Sequence, residues 1–256
     1  MTTVLRVIYD SASQASLNMA VDEMLLDSNI SEKSSPVLRF YSWEKPTLSI
    51  GCNQKTSDIK LDLLKEKDVA LIRRPTGGRA VLHQNEITYS VVLPLSQMPD
   101  KTVYESCRLI HSSFYNALAS MGINISQNLK KELTPSNPIC FSHPSYSELT
   151  FDGKKIVGSA QMRRSGFIMQ HGSIPFKDGR SSIFSFFNSV IRNEISQGIF
   201  LSNKEEEELL KENIKKEFCI IFDLNPQTDI LTDSELKTAT KLAKNKYESP
   251  EWTFKH

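Results

Sequence analysis

Apolar positions along the chain switch between helical and strand spacing, and the switches mark most of the elements. Leu17, Ala20, Val21, Met24 and Leu25 recur every three or four residues, which predicts a helix over 16–28 with Asp22, Glu23 and Asp27 on its other side. Val37 to Tyr41 and Thr47 to Ile50 read as short strands separated by the turn-prone Glu44-Lys45-Pro46. Ala70 to Ile72 and Thr88 to Leu93 are two more β-rich runs. Val103, Cys107, Ile110, Phe114, Leu118 and Met121 then form a helical stripe closed by Gly122, and that stripe places Cys107 in the core.

Residues 149 to 176 return to strand character and turn twice, at Asp152-Gly153 and at Ser165-Gly166, as antiparallel hairpins do. From about Ser202 the pattern is helical: SNKEEEELLKENIKKEF sets acids early and lysines late along a helix dipole, and Thr232 with Glu235 predicts a capping box. No repeat or long Gly/Ser/Pro linker divides the chain. The expectation is therefore one α+β domain over 1–256, a central mixed or antiparallel sheet flanked by helices, with a helical C-terminal portion over about 202–256.

Composition narrows the class. With 256 residues, 39% hydrophobic and 24% charged, the chain can bury a sizeable core. Its 31 basic and 30 acidic residues leave a net charge of +1, so nothing general favours nucleic acid or an anionic membrane as partner. Apolar runs fall short of a bilayer span, and MTTVLRVIYDSASQ lacks the features of a secretory signal, so a cytoplasmic location is expected. Cys52, Cys107, Cys140 and Cys219 are scattered, with no C-x-x-C pair for a metal, and are expected to be reduced thiols.

Two segments carry chemistry. In RRPTGGRAVLH, residues 73–83, adjacent glycines let the backbone approach a ligand that a Cβ would exclude, with Arg73, Arg74 and Arg79 around it. The segment matches neither the phosphate-cradling nor the dinucleotide glycine motif, and a tight turn with surface arginines accounts for it equally well. Cys140 lies in a stretch without periodicity, where a loop would present its thiol. A thiol attacks as thiolate, so nearby positive charge is needed, and Lys155 in the next hairpin is within folding reach. On the residues alone, such a cysteine is more often a small buried side chain. His143 offers itself as a base, while His83 and His171 border glycine-containing loops and either line a pocket or satisfy backbone carbonyls.

Taken together and in order, RRPTGGRAVLHQNEITYSV, NPICFSHPSYSEL and GKKIVGSAQMRRSGFIMQHGSI resemble the biotin/lipoate protein ligase superfamily. Within it they are most similar to the cysteine-dependent octanoyltransferases of lipoate assembly, the LipM type. The resemblance runs from SLNMAVDEMLLD to SPEWTF, and departs from the family run at Ser142 and His143. It implies an octanoyl-acyl carrier protein as donor, a lipoyl-domain protein such as glycine cleavage H protein as acceptor, and neither cofactor nor metal. Cys140 matches the acyl-thioester nucleophile and Lys155 the lysine that activates it. Arg73, Arg74, Gly77, Gly78 and His83 match the substrate-binding loop, and Gly158, Ser159, Ala160, His171 and Gly172 its second wall.

Two other functions compete. An ATP-dependent lipoate-protein ligase resembles the same regions, but those ligases commonly carry a third glycine where Arg79 stands and an asparagine-led motif at Cys140, and most rely on an additional C-terminal domain or partner subunit. A non-catalytic acyl- or lipoyl-domain-binding protein would need neither Cys140 nor Lys155.

Overall fold

A computed structural model describes residues 3–32, 35–98, 102–128, 138–142, 148–176, 181–188, 198–199, 201 and 203–255. In chain order they form β1 (Thr3–Ser13), α1 (Ala15–Glu32), β2 (Val37–Trp43), β3 (Thr47–Ile50), α2 (Leu61–Glu66), β4 (Ala70–Arg73), β5 (Val81–His83), β6 (Glu86–Pro94) and α3 (Val103–Ser120). There follow β7 (Ser126–Gln127), β8 (Leu149–Phe151), β9 (Lys154–Lys155), β10 (Gly158–Arg164), β11 (Phe167–Pro175), α4 (Lys204–Phe222), β12 (Leu224–Asp229), α5 (Asp233–Leu242) and α6 (Pro250–Thr253). No helix among these residues is long and apolar enough to cross a membrane.

Among the described residues one six-stranded sheet runs β10-β11-β6-β2-β1-β12, accompanied by two three-stranded sheets, β4-β3-β5 and β7-β8-β9. The large sheet is mixed: β1 is parallel to β2 and β12, and the remaining pairs are antiparallel. Side chains alternate between faces of a strand. Val7, Leu38 and Val91 accordingly pack in one core with Phe114 and Leu118 of α3 and Ile214 and Phe218 of α4. Their neighbours Ile8, Val37 and Val92 pack in a second core with Met24 and Leu25 of α1 and Ala239 of α5. Covered on both faces, these strands are apolar on both sides. The chain thus has the expected α+β architecture, a mixed sheet between helices.

Helix α1 departs from its predicted two-sided pattern. Asp22 is 0% and Glu23 7% exposed, so two of the three acids that spacing puts on the other side are interior, while Asp27 is exposed. Each interior acid has partners that sequence spacing does not reveal: Arg39 for Asp22, and Lys246 with Tyr247 for Glu23. The C-terminal segment that supplies Lys246 covers the face that would otherwise meet water.

The C-terminal portion is also not wholly helical. β12, LNPQTD, buries only Leu224, and a strand with one apolar anchor has no readable alternation. It exists because β1 pairs with it in parallel, from Thr3 with Leu224 to Ile8 with Asp229. In α4 the early acids hold, at Glu205–Glu207, but the helix runs on to Phe222 and no basic residue sits in its last turn. The Thr232–Glu235 capping box forms. Both hairpin turns stand where expected, with positive φ at Asp152, Gly153, Ser165 and Gly166. Cys107, expected in the core, is only half-buried.

Candidate active site

Cys140 is carried by a segment stitched to the strand that follows the double glycine. Ala80 and Ile139 form a parallel bridge; the Cys140 N–H donates to the Ala80 carbonyl at 2.9 Å, and the Ala80 N–H to that of Pro138 at 2.8 Å. Ile139 and Phe141 are buried on either side, in a small core with Leu48, Ile50, Leu82 and Phe187. Two apolar anchors around a half-buried cysteine fix where its sulfur points, at the start of the short 3-10 turn Cys140–Ser142.

Lys155 approaches from β9, 3% exposed, with Nζ 3.2 Å from Cys140 Sγ and 2.6 Å from Glu148 Oε1. Its ammonium also stands 5.4 Å from the centre of the Phe141 ring. Burial pushes this amine down, but attraction to the Cys140 sulfur and the Glu148 carboxylate outweighs burial and holds it above its ordinary value. Phe141 in turn depends on Gly158, because a Cβ there would lie 2.7 Å from the ring. The start of β10 thereby sets the seat of the cysteine.

The sulfur faces a narrow, mainly apolar cavity lined by Met19, Tyr41, Trp43, Val81, Ala160 and Gly172, among others. Arg74, 5% exposed, also borders it and donates to Ser49 Oγ at 2.9 Å and to the Gly77 and Arg79 carbonyls at 2.9 and 3.0 Å. Burial lowers the Arg74 guanidinium from its ordinary value, with Cys140 foremost among the groups acting the other way. The sulfur therefore has a second buried cation in its surroundings.

Two histidines complete the walls, each held between a carboxylate and a hydroxyl. His83 Nδ1 lies 2.5 Å from Glu86 and Nε2 2.7 Å from Ser49 Oγ. Arginine can only donate, so Ser49 accepts from Arg74 while sharing a hydrogen bond with Nε2. His171 Nδ1 lies 2.9 Å from Asp22 and Nε2 2.7 Å from Thr76 Oγ1. Burial pushes the Asp22 carboxyl up, but the His171 hydrogen bond and the Arg39 charge together leave it below its usual range.

Residues 14–205 match the Lipoyl protein ligase A/B catalytic domain. The chain belongs to that family. Proteins called Octanoyltransferase LipM are similar over nearly full length: 37% identity to that of Anoxybacillus flavithermus (98% of each chain) and 33% to that of Staphylococcus aureus (100% of each). The fold is shared with a solved lipoate-protein ligase A bound with ATP, at TM-score 0.79 and 23% identity, covering 99% of both chains. A Thermoplasma acidophilum protein solved with lipoic acid gives the same TM-score at 21% identity, covering 99% of this chain and 100% of that one.

Within this lipoyl ligase A/B domain, Cys140, Arg74, Gly78, His83, Gly158, Ser159, Ala160, His171 and Gly172 share one cavity wall, with Lys155 behind the sulfur. Gly78 has φ +91°, a conformation that favours glycine, whereas nothing crowds Gly77, which stays off the cavity wall. Arg73 stands apart from this wall. Fully buried and away from the cavity, it donates to the Gly51, Cys52 and Gln54 carbonyls and to those of Trp252, Thr253 and Lys255, tying the C-terminal segment to a turn. Arg79 contributes its carbonyl to Arg74. His83 and His171 each bond to a carboxylate. His143 lies outside the described residues. Sequence spacing misses Ser49, Thr76, Asp22, Glu86 and Glu148, each far in the chain, or on another element, from the group it serves.

Proposed function

We propose that the protein transfers an octanoyl group from an acyl carrier protein thioester, through Cys140, to a lysine of a lipoyl domain such as glycine cleavage H protein. The observation that carries this is the buried Lys155 ammonium 3.2 Å from a sulfur on the wall of an apolar cavity. The relatives named Octanoyltransferase LipM over nearly their whole length support the same activity. The Cys140 thiolate, paired with Lys155, attacks the donor carbonyl carbon; the carrier C–S bond breaks, and the carrier thiolate takes a proton from water. The acyl chain then lies in the cavity, along the wall at Gly158–Ala160.

In the second step the neutral lysine amine of the acceptor attacks the acyl-cysteine, nitrogen loses a proton to water, and Sγ departs with its electron pair beside Lys155. Exchange between thioesters is nearly isoenergetic and the amide is the more stable product, so the sequence runs forward without ATP. The test is incubation with octanoyl carrier protein in the absence of ATP. Intact mass should show an adduct of about 126 Da on the wild type that hydroxylamine removes, as for a thioester intermediate. No adduct, with transfer appearing only when ATP and a free acid are supplied, would instead mark a ligase.

A further inference from the structure

We infer that Glu148 keeps Lys155 an ammonium through the whole reaction cycle, so that Lys155 serves as a fixed counter-ion and never carries a proton between substrates. The inference rests on Cys140 being the acyl carrier and concerns what happens once that sulfur is acylated. Lys155 is 3% and Glu148 8% exposed, so neither charge is solvated by bulk water. In the resting protein the ammonium faces the Cys140 sulfur at 3.2 Å from the 3-10 turn and Glu148 at 2.6 Å from the segment entering β8, with the Phe141 ring beside it and Arg74 lining the same cavity as Cys140.

Acylation turns the thiolate into a neutral thioester and removes one of these anions. A buried ammonium left with a neutral neighbour gives up its proton. Glu148, bound at hydrogen-bond distance and independent of the sulfur, supplies the negative charge that persists. The second half-reaction then finds the cation already in place: the amine attacks, the Cys140 C–S bond breaks, and the electron pair returns to a sulfur facing Lys155 while the amine proton goes to water. The first half-reaction depends on Glu148 much less, because the thiolate itself holds the ammonium. Glu148 is a positioning residue, and its signature is a split between the two halves of the reaction.

The experiment uses the full chain with Glu148→Gln and octanoyl carrier protein. Acyl-enzyme formation, followed by quenched intact mass, should stay within about threefold of wild type, while transfer from the acyl-enzyme to a lipoyl domain falls at least about tenfold. The loss should deepen from pH 7 to pH 9, and Glu148→Asp should restore most of the transfer. Equal loss in both halves, or no loss in either, would overturn the inference. If Glu148→Gln does not fold, the trapped wild-type octanoyl-enzyme answers the question: the 15N signal of Lys155 Nζ, identified by its absence in Lys155→Arg, stays that of an ammonium up to about pH 9, above which an isolated buried amine is long since neutral. A neutral amine there refutes it. A wild type that forms no adduct refutes instead the assignment of Cys140, which is a separate result.

Discussion

Cys140 and Cys107 look alike by composition of their surroundings: both are half-buried, and each has a basic side chain against its sulfur. Their geometry differs. Cys107 Sγ is 3.7 Å from His111 Nδ1 and 3.8 Å from Nε2, whereas a sulfur bonded in line with one ring nitrogen would lie clearly closer to it. Nε2 is engaged with Ser159 Oγ at 2.7 Å, and Cys107 does not line the cavity. At Cys140 a lysine donor points at the sulfur from 3.2 Å, is anchored by Glu148, and the sulfur opens on the cavity. The basic side chain against Cys107 comes from one helical turn away on the same helix, whereas the charge directed at Cys140 comes from a different element.

The sharpest way to break this contrast is Cys140→Ala, which should cost at least about 10^3-fold in kcat/KM, the scale for removing a nucleophile. Steady-state transfer assays check it, and near wild-type turnover would move the chemistry elsewhere. Lys155→Met should follow at roughly 10^2-fold, because the thiolate loses its directed cation while the cavity remains. The lost step should be adduct formation, seen in the same mass measurement.

The next effect is on stability. Asp22 is fully buried against Arg39, and Asp22→Asn strands part of that guanidinium's charge, for a cost of about 3 kcal/mol by denaturant unfolding. Its carboxyl sits below the usual range in the folded protein, so its contribution is complete above about pH 4 and is lost as pH falls below that value. The variant should therefore show a flatter acid limb, and an unchanged limb would assign acid sensitivity to other carboxylates.

Gly158→Ala sharpens the comparison from the side of packing. Its new methyl meets the Phe141 ring, and overpacking of about 1–3 kcal/mol should appear as a lowered Tm together with slower acylation of Cys140. Cys107→Ala closes the series, with activity within about twofold of wild type and a stability loss under roughly 1 kcal/mol, since the side chain is only half-buried.

Much of the fold is legible where periodicity is strong. α3, the two hairpin turns and the capping box of α5 stand where spacing puts them, because local sequence alone determines them. β12 is illegible, since its pairing with β1 joins residues more than two hundred positions apart and only Leu224 is apolar. The same holds at the site. The cysteine and the lysine stand out by motif, but Glu148 is one acid among many until the fold sets its carboxylate 2.6 Å from Lys155. Arg73 and Arg74 are adjacent and chemically identical in sequence, yet strand alternation sends one to the C-terminal carbonyls and the other to the cavity.

Peptide-resolved alkylation of the unsubstituted thiols at pH 7 tests the central claim most directly, because it compares the two cysteines in one sample. With limiting iodoacetamide, Cys140 should react at least about tenfold faster than Cys107, and in Lys155→Met that advantage should disappear, as thiolate chemistry requires. Equal rates in the wild type, or an advantage that survives removal of the lysine, would contradict it.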